Sequence, residues 1–269
     1  MTADIGFIGT GNMGSAVARA VEKSRGGGRI LLANRTPAKA EVLAAELGCA
    51  VGSNQQVARQ CRLIFLGVKP QMMAGVLGGL APVLGQRTDP FILVTMAAGL
   101  TCRRIQELAG VECPVIRIMP NTPVAIGRGV VQVCSLDVSG EALADFMELM
   151  APAGLVDQVD ESLMDAASAV SGCGPAFAYL FLEALADGGV ACGLPRDKAL
   201  RYAGQMLSGA AEMVLESGKH PGRLKDEVCS PGGTTIQGVR ALEEGGVRAA
   251  AMNAVIAAYE KTLTLSGKT

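Results

Sequence analysis

The residue types best suited to chemistry lie near the C-terminal end, in the run Ser230-Pro231-Gly232-Gly233-Thr234-Thr235, which apolar residues follow at helical spacing. Ser230 is a typical N-cap residue, and Pro231 suits the first helical position because it has no N–H to leave unpaired. The glycines would let a ligand approach backbone N–H groups closely at a helix N-terminus, which attracts negative charge. We therefore predict a helix start that holds a small carboxylate. The alternative is an ordinary capped helix whose glycines make a tight connection.

A second candidate site lies near the N-terminus, in the pattern Gly9-Thr10-Gly11-Asn12-Met13-Gly14. An apolar strand at Ile5–Ile8 precedes the pattern, a helix to about Arg25 follows it, and a strand at Arg29–Ala33 comes next. In such a βαβ unit the first glycine permits the tight turn, the second lets a pyrophosphate reach the helix N-terminus, and the third allows close helix–strand packing. We predict a dinucleotide-binding turn. The expected contacts are Gly9, Thr10, Gly11, Asn12, Met13 and Gly14.

The residue that selects the dinucleotide is expected about twenty positions beyond the glycine pattern. An acidic side chain there would bond the ribose 2′-hydroxyl of NAD, but this chain has Asn34-Arg35-Thr36. A neutral and cationic set suits the 2′-phosphate of NADP. We therefore predict NADPH as the cofactor, with NADH as the alternative. We assign Asn34, Arg35 and Thr36 to the cofactor site, against the competing interpretation of Arg35 as a solvated loop cation.

The first half of the chain alternates strands with helices, which predicts an α/β fold with a doubly wound parallel sheet of the Rossmann type. Besides the first βαβ unit, we expect strands near Ala50 and at Leu63–Leu66, Phe91–Thr95, Val115–Met119, Gly129–Cys134 and Leu155–Val159. We expect helices at Pro37–Leu47, from Ser53-Asn54, and at Gln71–Leu84, Thr101–Ala109 and Glu141–Met150.

Ligands of such a sheet bind outside the carboxyl ends of its strands. Three segments fall there: Val68-Lys69-Pro70, Ala97-Ala98-Gly99 and Pro120-Asn121-Thr122-Pro123. Each is small, rigid or polar, as a cofactor loop needs to be, although loops of this composition also occur elsewhere. The residues assigned to the cofactor from these segments are Val68, Lys69, Pro70, Ala97, Ala98, Gly99 and Asn121.

The second half of the chain shows no strand pattern and predicts an all-helical domain. Its helices should be broken at Gly188-Gly189, Gly193-Leu194-Pro195, Gly218 to Pro221, Ser230-Pro231 and Gly245-Gly246. Several of these helices are apolar on more than one face, which a domain of this size cannot hide by itself. We therefore predict two domains, a dinucleotide-binding domain at 1–160 and a helical domain at 161–269, and a partner subunit that covers the second.

Composition excludes several classes of protein. The 269 residues are 49% hydrophobic and 18% charged, as in a globular protein, and 24 basic against 25 acidic residues argue against nucleic-acid binding. The N-terminus leads straight into a strand-like run, and the apolar region 169–186 is interrupted by Gly172, Gly174, Pro175 and Glu183, so we expect neither a secretory signal nor a membrane span. The 8 cysteines lack a C-x-x-C pair and His220 is the one histidine, which predicts no metal site and a cytoplasmic protein with reduced thiols.

The chain resembles the pyrroline-5-carboxylate reductase family. The segments that carry the resemblance span nearly the whole chain: Phe7 to Gly14, Val68-Lys69-Pro70, Met119 to Pro123, Ser171 to Ala176, Ala186 to Val190, and His220 to Asp226 leading to Ser230 to Thr235. The last of these is the most specific. Two small departures are Cys173, where the family more often has a small hydroxyl residue, and Phe177, which is often tyrosine.

The resemblance implies NAD(P)H-dependent reduction of the cyclic imine 1-pyrroline-5-carboxylate to L-proline, the last step of proline biosynthesis. It places the substrate carboxylate on N–H groups around Gly232, Gly233 and Thr234, and a hydrogen bond from Thr235 at the imine nitrogen as the catalytic contact. The implied substrate-binding residues are Ser230, Gly232, Gly233, Thr234, Thr235 and Asn121. The resemblance also adds Asn54 to the cofactor site and implies intertwined homodimers, with five dimers together as a further assembly.

Two alternatives differ in chemistry. The β-hydroxyacid dehydrogenases use a lysine about four residues beyond a glycine-rich turn, but here the turn Ser171 to Pro175 leads into Ala178 and Tyr179. An imine needs less acid assistance than a carbonyl because its nitrogen can enter already protonated, so a threonine hydroxyl can serve. The other alternative is a non-catalytic NADP-binding regulator, which would bind NADPH without oxidising it when the imine is supplied.

Overall fold

The computed structural model describes residues 3–265, which divide into two compact units. The first, which we call the sheet unit, comprises the chain up to Cys173 together with the segment from Ala258 onward. The second, which we call the helical unit, comprises Gly174–Ala257.

The sheet unit contains every strand and helix that the sequence predicts for it, with ends displaced by at most two residues. Its strands are β1 (Ile5–Ile8), β2 (Ile30–Ala33), β3 (Ala50–Val51), β4 (Leu63–Leu66), β5 (Ile92–Thr95), β6 (Val115–Pro120), β7 (Gly129–Leu136) and β8 (Gly154–Gln158). Its helices before Cys173 are α1 (Asn12–Arg25), α2 (Pro37–Leu47), α3 (Asn54–Gln60), α4 (Pro70–Leu84), α5 (Cys102–Ala109), α6 (Gly140–Met150) and α7 (Met164–Ser171). Short 3-10 turns lie at Gly27–Arg29, Thr122–Ile126, Ala151–Ala153 and Glu161–Leu163.

Local sequence explains where these helices begin. Ser53 caps α3 by accepting the backbone N–H of Gln56, whose side chain accepts the N–H of Ser53 in return. Thr101 caps α5 by accepting the N–H of Arg104. α2 and α4 each begin at a proline, which suits a first helical position.

The sheet has the strand order β3-β2-β1-β4-β5-β6-β7-β8. From β3 to β6 all neighbours are parallel, so the carboxyl ends of β2, β1, β4 and β5 meet at one edge. From β1 the chain adds β2 and β3 on one side and then adds β4 on the other side. Doubly wound sheets bind ligands at the point where the direction of strand addition reverses in this way.

The predicted parallel sheet has one exception, because β7 runs antiparallel to β6. The chain between Pro120 and Gly129 contains a single 3-10 turn, whereas a parallel neighbour needs a crossover of roughly a dozen or more residues. β8 then pairs parallel to β7 because α6 supplies such a crossover.

The core of the sheet unit has a layer on each face of the sheet. One layer holds alternate strand residues such as Phe7 and Phe65, whose stacked rings have centroids 4.4 Å apart, under α1, α2 and α6. The other layer holds Ile8, Ile64 and Leu66 under α3, α4 and α5. Helices on both faces of a mostly parallel sheet confirm the predicted Rossmann-type fold.

The helical unit consists of α8 (Gly174–Ala191), α9 (Arg196–Ser217), α10 (Pro221–Val228), α11 (Thr234–Glu244) and the first part of α12 (Val247–Leu265). The predicted break at Gly188-Gly189 is wrong, because α8 continues to Ala191. A Cβ placed on Gly189 would lie 3.2 Å from the Cβ of Ala199, so this glycine lets α8 and α9 approach closely and does not end a helix.

The helical unit buries little of its own apolar surface. Its fully buried hydrophobic residues are Ala186, Ala199 and Ala203. Large apolar side chains with more than half of their surface exposed are Tyr179, Leu180, Tyr202, Met213, Leu215, Val228 and Met252. A single chain therefore leaves this unit without a core of large side chains.

The segment 161–173 is helical but belongs to the sheet unit. Arg117 on β6 is fully buried, and its guanidinium donates to Asp165 of α7 at 2.9 Å and lies 3.5 Å from a Glu161 oxygen. Gln132 on β7 donates to the Ser171 hydroxyl at 2.6 Å. The change from strands to helices at Glu161 and the division into compact units at Gly174 thus lie at different places, and the domain boundary near 160 stays a prediction.

One stretch, Glu161–Ala191, is long and apolar enough to cross a membrane when length and composition alone are considered. It is not one element, because it contains a 3-10 turn, α7 and α8. Asp165 and Ser171, within its first third, make the polar contacts to the sheet described above. Core helices pass the same test, so the finding is weak evidence for a span.

Candidate functional site

The loops predicted to bind the cofactor follow four adjacent strand ends. Ile8 pairs with Ala33 and with Leu66, and Leu66 pairs with Thr95, so the segments after β1, β2, β4 and β5 leave the sheet side by side. The predicted residues Gly9 to Gly14, Asn34 to Thr36, Val68 to Pro70 and Ala97 to Gly99 are in these segments.

Three glycines leave no room for a side chain at this edge. Gly9 has φ +101°, which disfavours other residues, and a Cβ on Gly14 would lie 2.2 Å from the Gly9 carbonyl oxygen. A Cβ on Gly67 would lie 2.4 Å from the same oxygen. The turn after β1, the start of α1 and the end of β4 are therefore in backbone contact, which is the packing expected of the third glycine in the motif. Gly67 was not predicted, and no local pattern marks it.

The N-terminus of α1 is open to a ligand. Its N-cap is Gly11, no side chain caps it, and a Cβ on Gly11 would meet nothing within 4 Å. Thr10 is buried, and its hydroxyl oxygen has no hydrogen-bond partner within the described chain. Unpaired N–H groups and positive helix-end charge suit a pyrophosphate at this position.

Asn34 supports the turn. Its side-chain oxygen accepts the Thr10 N–H at 3.1 Å, and its side-chain nitrogen donates to the Thr36 carbonyl at 3.0 Å. The amide thus joins the glycine turn to the loop after β2, and a direct contact of this side chain with the cofactor stays a prediction.

A cleft of about 400 Å³ lies along these loops. Predicted cofactor residues that line it are Gly9, Gly11, Asn34, Arg35, Thr36, Asn54, Val68 and Lys69. Residues that line it without having been predicted are Ile8, Lys39, Gly67, Met72 and Val76. Thr10 and Asn12 line an adjoining cleft, to which Gly11 and Lys39 also contribute.

Lys39 is the most informative of the residues that sequence reasoning missed. It is in the first turn of α2, four residues beyond Arg35, and both side chains are exposed at the same cleft. In the part of the chain that the structure describes, neither side chain forms an ion pair. The spacing of four residues from Arg35 across the start of α2 was the available signal. Two cations without acidic partners suit a phosphate.

Other predicted cofactor residues are outside the cleft lining. Met13 and Gly14 are in the first turn of α1, Pro70 begins α4, and Ala97, Ala98 and Gly99 follow β5, where the Ala97 N–H donates to Thr95 Oγ1 at 3.3 Å. Their assignment to the cofactor stays a prediction.

Asn121 has a structural role that the sequence did not suggest. Its side-chain oxygen accepts the Val130 N–H at 2.9 Å, and its side-chain nitrogen donates to the Ser171 carbonyl at 2.9 Å. The side chain is buried and holds the turn after β6 against β7 and α7. Both ends of the amide are thus engaged within the chain, which weighs against a side-chain contact to substrate or cofactor.

The predicted carboxylate site at Ser230 to Thr235 differs from the expectation in its local structure. Ser230 is not an N-cap and Pro231 is not the first helical residue, because α11 begins at Thr234 with Gly233 as its N-cap. Ser230 to Gly233 form a turn closed by the Gly233 N–H donating to the Ser230 carbonyl at 3.0 Å, with Gly232 at φ +70°. Pro231 and Gly232 thus occupy the positions that favour Pro and Gly in a type II turn, which explains the sequence better than a cap does.

This turn leaves a defined set of donors at the start of α11. The Gly233 N–H is used inside the turn, so the prediction that it binds the carboxylate is not supported by the geometry. No side chain caps α11, which leaves the N–H groups of its first turn, from Thr234 onward, for a ligand. Thr234 and Thr235 are both exposed in the single chain. An exposed, uncapped helix N-terminus next to a hydroxyl can hold a carboxylate and reach one more polar atom.

The single histidine has a local role. His220 Nδ1 accepts the Gly222 N–H at 3.1 Å and thereby caps α10. That nitrogen is therefore engaged in helix capping.

A third polar cluster, in the sheet unit, was not foreseen, and none of its residues lines the cofactor cleft. Cys102, Cys134 and Glu161 have ligand atoms within 4.8 Å of one another. The weak hydrogen bond between the two thiols raises the pKa of Cys102 and lowers that of Cys134. The prediction of no metal site used local ligand spacing, and these residues are too far apart in sequence for that test to detect them.

Two segments of the chain match two family models. Residues 161–265 match a model described as pyrroline-5-carboxylate reductase dimerisation, and residues 4–99 match one described as NADP oxidoreductase coenzyme F420-dependent. The pyrroline-5-carboxylate reductase of Pisum sativum is 42% identical over 97% of this chain and 96% of its own length. That of Escherichia coli (strain K12) is 39% identical over 99% of each chain. This chain belongs to the pyrroline-5-carboxylate reductase family.

A solved structure extends the match to three dimensions. The Plasmodium falciparum pyrroline carboxylate reductase with NADP bound is 32% identical, covers 98% of each chain and has a TM-score of 0.87. Membership of the pyrroline-5-carboxylate reductase family confirms the resemblance drawn from the motifs and the predicted class of oxidoreductase. The match of 161–265 to a dimerisation region also agrees with the exposed apolar side chains of the helical unit.

Proposed function

We propose that this member of the pyrroline-5-carboxylate reductase family reduces the cyclic imine 1-pyrroline-5-carboxylate to L-proline with NADPH, the last step of proline biosynthesis. The observation that carries the proposal is the identity of 39–42% to enzymes of that name over at least 97% of this chain. The glycine-rich edge of the sheet unit and the uncapped start of α11 supply chemistry that this reaction needs.

NADPH fits the cleft of the sheet unit. The contact of Gly9, Gly14 and Gly67 would be lost with any side chain, and it fixes the turn that leads into α1. At the start of α1 the open space around Gly11 suits the close approach of a pyrophosphate. When bound there, NADPH would supply the hydride that reduces the C=N bond. We infer that Arg35 and Lys39 together bind the 2′-phosphate, which favours NADPH over NADH.

The start of α11 would bind and orient the substrate. We assign the substrate carboxylate to the N–H groups of the first turn of α11, where helix-end charge favours an anion. The Thr235 hydroxyl would hydrogen-bond the imine nitrogen, which enters protonated and leaves as the amine. Contacts to two parts of a small ring restrict it to one pose. The turn from Ser230 to Gly233 holds the helix start in place through the Gly233-to-Ser230 hydrogen bond.

Assembly and compartment complete the proposal. The helical unit exposes its apolar side chains in the single chain, and we propose a homodimer that covers them, with five dimers together as the further assembly that the family resemblance implies. We also propose a cytoplasmic location. All 8 cysteines carry free thiols, which fits a reducing compartment.

A spectrophotometric assay with paired variants tests the function. The full chain with NADPH and the cyclic imine should lose NADPH absorbance, whereas bound NADPH without turnover would indicate a non-catalytic NADP-binding protein. Thr235→Val keeps the shape but removes the hydroxyl, so kcat should fall by about 10- to 100-fold while NADPH affinity stays unchanged.

Thr234→Val is the matched control, because Thr234 is the adjacent exposed residue and its backbone N–H remains. It should retain kcat within about twofold, as expected of a surface substitution. If both variants lose the same activity, or if Thr235→Val loses none, the assignment of Thr235 is wrong.

A third variant tests the turn. A Cβ on Gly233 would lie 2.4 Å from the Ser230 hydroxyl oxygen, so Gly233→Ala should displace the turn and raise KM more than it lowers kcat. Gly238→Ala, later on the same helix and with open space at its Cβ, should leave both constants nearly unchanged. A normal KM in Gly233→Ala would show that the geometry of this turn does not set substrate affinity.

A further inference from the structure

Two buried thiols and a carboxylate meet in the sheet unit, away from the cofactor cleft. Cys102 is the first residue of α5, Cys134 is on β7, and Glu161 begins the 3-10 turn before α7. The Cys102 and Cys134 sulfur atoms are 3.9 Å apart, and both sulfur atoms and a Glu161 oxygen lie within 4.8 Å of one another. Three elements that are distant in sequence thus place three potential ligands together.

The spacing matches a small tetrahedral ion. With Zn–S bonds of about 2.3 Å and Zn–O bonds of about 2.0 Å, the edges of a tetrahedral site are roughly 3.8 Å between sulfurs and 3.5 Å between sulfur and oxygen. The observed sulfur separation is already near the first value. Shifts of about 1 Å would bring the carboxylate into range, and water can supply the fourth ligand.

Other contacts hold the carboxylate in place. The Cys102 backbone N–H donates to Glu161 Oε1 at 2.7 Å, and the Arg117 guanidinium lies 3.5 Å from the same oxygen. These described contacts use Oε1, so Oε2 remains for a metal. About a third of the Glu161 side chain is exposed, which gives solvent a path to otherwise buried thiols.

The charge balance permits a divalent cation despite the nearby arginine. Arg117 is neutralised by Asp165 at 2.9 Å, and Glu161 carries a further negative charge. When a divalent ion binds, each thiol gives up its proton, so two positive charges replace two protons and the net charge of the cluster does not change. Binding of the ion therefore adds no uncompensated charge to this buried cluster.

We propose that Cys102, Cys134 and Glu161 bind one Zn²⁺. Two thiolates and a carboxylate favour a borderline-soft ion over Mg²⁺, Ca²⁺ or Mn²⁺, which prefer oxygen ligands. The ion joins the start of α5, which follows the Ala97–Gly99 loop, to β7 and to the turn before α7. Its role is structural, since it fixes the position of three elements at one point of the sheet unit.

Titration of the full chain with Co²⁺, a spectroscopic substitute for Zn²⁺, tests the site under a phosphine reductant. Binding should produce thiolate-to-cobalt charge-transfer absorption and the visible bands of tetrahedral Co²⁺, saturate at one ion per chain, and disappear when Zn²⁺ is added. Thermal unfolding should shift upward with Zn²⁺, because the ion binds the folded chain.

Matched variants identify the ligands. Cys102→Ala and Cys134→Ala should each lower Co²⁺ affinity by about 100-fold or more, since loss of an outer-shell partner alone costs about 10- to 100-fold. Cys113→Ala is the control, because Cys113 is also buried in the same core layer but lies outside the cluster. Glu161→Gln should weaken Co²⁺ binding by about tenfold and keep the charge-transfer band. Glu107→Gln should leave both the Co²⁺ affinity and the band unchanged.

Several results would overturn the proposal. The first is the absence of a charge-transfer band in protein whose thiols are all shown to be free by titration. The second is a band that persists when both Cys102 and Cys134 are replaced. The third is a loss of Co²⁺ affinity in Cys113→Ala that equals the loss in the two ligand variants. If either alanine variant fails to fold, the comparison of Glu161→Gln with Glu107→Gln decides, and equal Co²⁺ affinity in these two variants also contradicts the site.

Discussion

The sheet unit and the helical unit of this chain differ in how each hides its apolar residues. The sheet unit has large buried side chains on both faces of the sheet, among them Phe7, Phe65 and Phe146. The helical unit fully buries alanines, whereas Leu180 and Leu215 have 69% and 80% of their surface exposed in the single chain. Large apolar surfaces of this kind mark interaction sites. The sheet unit can therefore be stable within one chain, whereas the helical unit needs a second chain to cover its apolar surface.

The two candidate binding sites differ in the same way. The dinucleotide cleft is built from loops that hydrogen-bond one another, as Asn34 does with Thr10 and Thr36. The start of α11 is exposed, and its support comes from one turn of four residues. We therefore expect cofactor binding to survive in a single chain, while substrate binding requires the assembled protein.

The largest effect should come from removing the helical unit together with the segment from Ala258 onward. A chain that ends after Cys173 should be monomeric, folded and able to bind NADPH, because every buried residue of the two core layers precedes that position. Sedimentation and NADPH titration would measure this. A chain that ends at 160 is the informative contrast, since it lacks Glu161 and Asp165 and leaves Arg117 buried without its carboxylates. If the chain ending after Cys173 remains as associated as the full chain, the interface lies in the sheet unit.

The next largest effect should come from the buried ion pair that joins α7 to the sheet. Asp165→Asn should lower the free energy of unfolding by up to about 3 kcal/mol, because the buried Arg117 would keep only the longer contact to the partly exposed Glu161. Urea unfolding of the sheet unit provides the measurement. Glu107→Gln breaks the exposed pair with Arg104 and should cost less than about 1 kcal/mol. Similar losses in both variants would mean that α7 is not held to the sheet by this pair.

A smaller effect is expected at the cofactor cleft. Arg35→Ala and Lys39→Ala should each weaken NADPH binding by roughly 1.5–3 kcal/mol and leave NADH binding nearly unchanged, because only NADPH carries the 2′-phosphate. Fluorescence titration with both cofactors measures the difference, and Lys23→Ala, on the exposed face of α1, serves as the control. Equal weakening toward both cofactors would contradict the 2′-phosphate assignment.

The smallest effect concerns the dry core of the sheet unit. Burial raises the pKa of the Cys61 thiol to about 12 and that of Cys113 to about 11. In the unfolded chain a thiol titrates near pH 8.5, so above this pH the unfolded state loses protons that the folded state keeps, and stability falls. Urea unfolding at pH 8 and pH 9 should show a fall of roughly 0.7 kcal/mol per thiol. Cys61→Ala should reduce that pH dependence, and Cys192→Ala, at an exposed thiol, should not.

The fold of the sheet unit could be predicted closely because its signals are local. Ser53 and Thr101 mark helix starts, and short apolar runs such as Leu63–Leu66 mark buried strands. The direction of β7 was predicted incorrectly because strand direction depends on the length of the connection. The continuity of α8 was missed because Gly189 is explained by contact with Ala199, which no local pattern records.

The candidate site could be predicted where a motif binds through its own backbone. Gly9 and Gly11 were found in this way, Arg35 was found from its distance in sequence beyond the motif, and all three line the cleft. Lys39 and Gly67 were missed because their relevance arises from neighbouring strands and a helix turn. The Ser230-Pro231 sequence was interpreted as a cap because a cap and a type II turn favour the same residue types at different offsets. The hydrogen bond between Gly233 and Ser230 distinguishes the two.

The burial of Arg117 under α7 has a consequence for how this family can recombine. The family model for the helical region begins at 161, whereas the compact units divide at Gly174. A chimaera that exchanges helical regions between relatives at 161 would separate Arg117 from the Asp165 that pairs with it in this chain. A junction after Cys173 would keep Arg117, Glu161 and Asp165 together from the same parent protein. Exchange of dimerisation regions should therefore yield folded hybrids at the second junction more often than at the first.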